Sequence, residues 1–133
     1  MNVLPGKISA IESSDHMSIV KVDVKSVILS SVILETPESA VYLEKDQSLE
    51  VLFKETEVAI AKGNIGKISL QNQLPCEIRK IKQGQLLSEI ELGFHEFTIR
   101  SIITTNAMKQ LDLTVGEEVK ALIKTNEIML SHD

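Results

Sequence analysis

The side chains in this sequence that could do chemistry are hydrogen-bond donors. Ser69, Gln71 and Asn72 fall within one short stretch, Lys124, Thr125 and Asn126 are consecutive, and Ser101 lies in an apolar run between them. Hydroxyls, amides and an ammonium with no carboxylate in the set could together surround an anion. Lys54 and Thr56 make a weaker version of the same pattern, with Glu55 between them. Taken alone, these residues favour a structural reading. Ser69 and Asn72 could satisfy backbone groups at a strand end, and Lys124 could be a solvated strand residue.

Catalysis has little to draw on. The sequence holds no nucleophile–base pair, phosphate loop or metal-ligand set, so an enzyme is not expected. His16, His95 and His132 lack ligand spacing and read as turn or terminal residues. Cys76 is the single cysteine, which excludes an intrachain disulfide and a thiolate cluster and fits a reducing compartment. It reads as a small packed residue, in line with its counterpart Gly6 described below.

Net charge −5 removes the electrostatic footprint of a nucleic-acid binder. Arg79, Lys80 and Lys82 are basic, but Glu77 interrupts that face, and Phe53, Phe94 and Phe97 follow the strand phase of core residues rather than forming a stacking platform. The longest apolar stretch, Val27 to Leu34, is broken by Ser30 and Ser31 and is too short to span a bilayer. No nucleic acid, no membrane and a cytoplasmic location are therefore expected.

The elements that position the donors are written twice. Asn2-Val3-Leu4-Pro5-Gly6-Lys7-Ile8 reappears as Asn72-Gln73-Leu74-Pro75-Cys76-Glu77-Ile78, and a shift of about seventy residues keeps the match without a gap to the C-terminus. Ser31 falls on Ser101, Lys54 on Lys124, and Val20, Val22 and Val24 on Ile90, Leu92 and Phe94. The repeat predicts a first unit over residues 1–63, a joint over 64–71 and a second unit over 72–133.

Within each copy, alternation predicts a strand with a bulge over Leu4 to Ile11, a half-buried strand over Met17 to Val24 and an enclosed one over Val27 to Leu34. Thr36-Pro37-Glu38 reads as an N-cap, a first-position proline and an acid, opening a short helix to about Leu43; its counterpart opens at Thr105-Asn106 and ends near Leu111. Strands over Leu49 to Lys54 and Val119 to Lys124 follow, and a last short strand ends each copy around Val58 to Ile60 and Ile128 to Leu130. The expected fold is all-β, with two tandem OB-like five-stranded Greek-key barrels, each with one short helix.

At this level the chain resembles the molbindin (Mop) family, whose members are built from TOBE-type barrels and bind molybdate. Ser69-Leu70-Gln71-Asn72-Gln73-Leu74 stands where that family has Ser-Ala-Arg-Asn-Gln-Leu, and Ile99-Arg100-Ser101-Ile102-Ile103-Thr104 resembles its Ile-Thr-Ser-Ile-Ile-Thr strand. Leu113-Thr114-Val115-Gly116-Glu117-Glu118-Val119 followed by Ala121-Leu122-Ile123-Lys124 resembles its closing strand. Gln71 replaces the family's Arg, and Cys76 replaces a Gly that the first copy keeps as Gly6.

The resemblance implies a binding protein for molybdate, or tungstate, serving intracellular storage or homeostasis. The alternative is a ligand-sensing regulatory module working with a transporter ATPase or a transcription regulator. It also implies a homo-oligomer, a trimer before a dimer, with sites between barrels. Ser69, Gln71, Asn72, Ser101, Lys124, Thr125 and Asn126, with Lys54 and Thr56 of the first copy, become the expected molybdate ligands. Molybdate is a tetrahedral dianion with no proton at neutral pH, so every oxygen needs a donor and a nearby carboxylate is repulsive.

Overall fold

The computed structural model describes residues 1–132. Ten strands form two five-stranded antiparallel sheets. The first copy supplies β1 (Asn2–Ser14), β2 (Met17–Val24), β3 (Val27–Ile33), β4 (Ser48–Phe53) and β5 (Ala59–Ala61). The second supplies β6 (Asn72–Gln83), β7 (Leu87–Phe94), β8 (Phe97–Thr104), helix α1 (Thr105–Gln110), β9 (Glu118–Ile123) and β10 (Met129–Ser131).

Period-two burial explains the strands. Ser18, Val20, Val22 and Val24 of β2 point inward, and Ser88, Ile90, Leu92 and Phe94 of β7 repeat the pattern. The expected bulge is present in both copies, as a register shift between Ile8 and Ala10 and again between Ile78 and Lys80. Two-residue hairpins join β2 to β3 and β7 to β8, with positive φ at Lys25, Ser26 and His95. His95 is thus a turn residue, as its sequence context predicts.

Two expectations are corrected. The first copy has no helix after β3; residues 37–39 form a turn instead. In the second copy the Thr104 hydroxyl caps α1 by accepting from the Ala107 amide at 3.0 Å. The counterpart of Thr104 is Leu34, which has no hydroxyl to offer. Ser39 instead folds back on Thr36, its hydroxyl accepting from the Thr36 amide at 2.9 Å and donating to the Thr36 carbonyl at 3.2 Å. Local side-chain bonds of this kind compete with helix propagation, and one turn is all that forms.

The second correction concerns the last strands. Each was expected to complete its own copy, yet the sheet orders are β10-β4-β1-β2-β3 and β5-β9-β6-β7-β8. β5 pairs with β9 through Ala59↔Leu122 and Ala61↔Lys120, and β10 pairs with β4 through Met129↔Leu52 and Ser131↔Glu50. The copies have therefore exchanged their final strands. Buried residues of both halves form one contiguous cluster, with Phe53 and Phe94 its largest enclosed side chains.

The exchange also bridges each open sheet. The Ser31 hydroxyl on β3 donates to the Ile128 carbonyl at 2.8 Å, and the Ser101 hydroxyl on β8 donates to the Val58 carbonyl at 2.7 Å. Each bond ties the outer strand of a sheet to the segment leading into its borrowed strand. The order 3-2-1-4 followed by a borrowed fifth strand is that of the OB type, with hydroxyl bonds joining its two edges.

Candidate functional site

The donors gather at two corners related by the internal repeat. At the first, pairing of Asn72 with Ile123 brings the start of β6 beside the end of β9, so Gln71 and Lys124 lie at the same sheet corner. Lys124 keeps an extended backbone, φ −66° and ψ 148°, and leads into a single 3-10 turn over Thr125–Glu127. The Glu127 amide closes that turn on the Lys124 carbonyl at 3.0 Å, and none of the turn's side chains is buried. Ser69 and Gln71 are exposed at the end of the joint. The side chains of Ser69, Gln71, Lys124, Thr125 and Asn126 form no hydrogen bond within the described residues, so their donors are unspent.

Asn72 belongs to the same corner but is already committed. It is fully buried, its Nδ2 donating to the Ser30 carbonyl at 2.9 Å and its Oδ1 accepting from the Ser30 amide at 2.7 Å. This two-point clamp fastens β6 of one copy to β3 of the other. Asn2 does the same at the opposite corner, with Nδ2 donating to the Arg100 carbonyl at 2.9 Å and Oδ1 accepting from the Arg100 amide at 2.8 Å. The clamp is the structural role that the sequence left open for Asn72.

Ser101 does not join the Lys124 group. Its bond to Val58 places it beside the 3-10 turn over Glu55–Glu57, at the second corner, where it is fully buried and its proton is spent. Ser31 takes the equivalent place beside Thr125–Glu127. The second corner thus holds Asn2, Lys54, Glu55, Thr56 and Ser101. Lys54 and Thr56 are exposed there, with no side-chain partner among the described residues. Glu55 pairs with the Met1 ammonium, which holds its carboxyl below the usual range, with a smaller contribution from the charge of Arg100.

Asn2 and Ser31 are the residues that reading for donors missed as partners. The signal was available, since each sits one repeat length from a residue already singled out.

Other concave regions lie elsewhere. A cleft of about 580 Å³ is lined by Cys76, Glu77, Arg79, Gly93, His95 and Lys120, among others. There the Arg79 guanidinium donates to the His95 carbonyl at 3.1 Å and lies so close over Gly93 that a Cβ at that position would meet its Nε at 2.0 Å. Cys76 is buried, and burial pushes its thiol up to about 12, which leaves no thiolate for chemistry. Among the described residues no group of His, Cys, Asp and Glu could hold a metal ion. None of them forms a helix long and apolar enough to cross a membrane.

Beside the corners runs an apolar strip. Val3, Leu52 and Met129 are in register across β1, β4 and β10, on the outward face, with Val3 and Met129 both 42 % exposed.

Residues 68–130 match the family model of the TOBE domain. Over the whole chain the fold is similar to that of the cytoplasmic molybdate-binding protein ModG, in a crystal form with molybdate bound. The TM-score is 0.91 at 24% identity, covering 99% of this chain and 96% of that one. A molybdate-binding protein from Sporomusa ovata aligns with 44% of this chain and 88% of its own at 30% identity, with a TM-score of 0.44. No curated protein matches the chain in sequence. The stretch that matches the TOBE model carries the better-provided of the two corners, and the residues before it repeat its strand order.

Proposed function

We propose that the chain binds molybdate, and tungstate as its near-isostere, for intracellular storage and homeostasis, acting as a binding protein rather than an enzyme. The observation that carries this reading is the first corner. Five side chains, Ser69, Gln71, Lys124, Thr125 and Asn126, offer hydroxyl, amide and ammonium donors that nothing among the described residues uses. An oxyanion without a proton asks for donors alone, whereas phosphate keeps a proton near neutral pH and would seek an acceptor. The full-length likeness in fold to ModG, described as molybdate-binding, supports the choice of ligand.

The corner lies open on the chain's surface, and the site is completed by a second copy. The adjoining strip of Val3, Leu52 and Met129 is the apolar surface such a copy would cover, in a homo-oligomer for which a trimer is the expected order. Asn72 and Ser101 then act as positioning residues that hold the corners together. Lys54 and Thr56 belong to the second corner.

Titration calorimetry with sodium molybdate tests the reading. A charge-assisted hydrogen bond contributes about 1.5–3 kcal/mol, so Lys124→Ala is expected to weaken binding by roughly 10- to 100-fold. An unchanged affinity would remove Lys124 from the site, and no binding by the unaltered chain would end the proposal. Native mass spectrometry with and without molybdate reads the assembly and its ligand count.

A further inference from the structure

The repeat places Glu55 where the first corner has Thr125; Met1 stands for Gln71 and Thr56 for Asn126, but Glu55 is the exchange that brings in a charge opposite to the lysine's. Lys54 matches Lys124, each leading in extended backbone into a 3-10 turn of three residues. Asn2 matches Asn72 in clamping the opposite copy, and Ser101 matches Ser31 in bonding the carbonyl that follows the turn. Glu57 and Glu127 close the two turns alike, their amides meeting the carbonyls of Lys54 and Lys124, both at 3.0 Å. The frameworks are the same, and the shared acid at the end of each turn does not distinguish them.

At the position directly after the lysine the chemistry reverses. Thr125 presents a hydroxyl without a partner among the described residues, while Glu55 presents a carboxylate already engaged with the Met1 ammonium. A carboxylate accepts hydrogen bonds and cannot donate them while ionised, and it repels an approaching dianion. It also engages the Met1 ammonium at its own corner, which would otherwise be available to a ligand.

We propose that Glu55 is the built-in occupant of the second corner, so that each chain offers one working oxyanion corner, at Lys124, and one self-neutralised counterpart, at Lys54. This rests on the oxyanion reading of the first corner. The duplicated fold is thereby used unequally, and the difference lies in side chains at the corner rather than in the framework beneath it.

Molybdate titrations of the full-length chain, with Glu55→Thr, Glu55→Gln and Thr125→Glu alongside, test this. Circular dichroism and thermal melting check that each variant keeps the fold, and neither Glu55 nor Thr125 is buried, which favours that. The unaltered chain should bind a single class of molybdate, and Glu55→Thr should raise the number bound per chain about twofold. Glu55→Gln, which removes charge and supplies an amide, should move in the same direction, and Thr125→Glu should abolish binding at the first corner.

A stoichiometry unchanged by Glu55→Thr in a folded protein overturns the inference while leaving the first corner standing. So does a drop in the number bound when Lys54→Ala is made in the otherwise unaltered chain. If neither the unaltered chain nor Glu55→Thr binds molybdate, both the oxyanion reading and this inference fall.

Discussion

Replacing Asn72 by alanine should unfasten the two copies from each other, and the cost can be worked from the clamp. The side chain makes two bonds, 2.9 Å to the Ser30 carbonyl and 2.7 Å from the Ser30 amide, and all the groups involved are buried. Alanine would strand both backbone groups of Ser30 without partners, at about 1–3 kcal/mol each, so the total is on the order of 2–6 kcal/mol. For a chain of this size that corresponds to a fall in Tm of roughly 7–20 °C.

Asn2→Ala breaks the equivalent clamp at Arg100, but those bonds are only partly buried. Water can replace the lost partner there, and the expected cost is smaller, about 1–2 kcal/mol. Urea or thermal denaturation of the two variants in the ligand-free state reads the difference directly. If Asn72→Ala melts within about 2 °C of the unaltered chain, or if Asn2→Ala is the more damaging, the clamp does not hold the copies as described.

The remaining predictions concern ionisation. Because burial pushes the Cys76 thiol up to about 12, the native protein should resist iodoacetamide at about pH 8, where a free thiol reacts, and should be alkylated after unfolding. Ready labelling of the folded chain would contradict the packing around β6. The carboxyls of Glu55 and Glu117 lie below their ordinary value of 4.5, held by hydrogen bonds from the Met1 ammonium and from Lys62. Their stabilisation is therefore present above about pH 4.5 and is lost as pH falls through the lowered folded values. Melting temperatures measured from neutral pH downward should hold until near that value and then decline. Lys62→Met, which removes the 2.7 Å pair with Glu117, should flatten part of the decline. An identical acid profile in the variant would remove that pair from the account.

Much of the architecture is legible before any coordinates. The duplicated Asn-x-Leu-Pro stretch announces two copies, the alternation in β2 and β7 gives the buried face, and the irregular spacing around Ile8 and Ile11 gives the bulge. These are local or periodic signals, because a strand half-buried in a sheet must alternate whatever it pairs with. The helix expected after β3 failed for a reason also visible in sequence, though only by comparing copies: Thr104 can cap and Leu34 cannot.

Sequence alone therefore determined that the chain is a repeat of small β units, which side chains face inward, and that a set of neutral and cationic donors recurs at the end of each copy. Only the tertiary structure decided which sheet each final strand would join and which donors would remain free. Ala59-Ile60-Ala61 and Met129-Leu130-Ser131 are too short to encode a partner, and the ladder each joins depends on where the chain is carried by the turn before it. Asn72 and Ser101 look like ligands in one dimension because their amide and hydroxyl groups can donate to anything within reach. In three dimensions burial brings backbone groups of the opposite copy within 3 Å of both, and a buried polar group bonds to what is there.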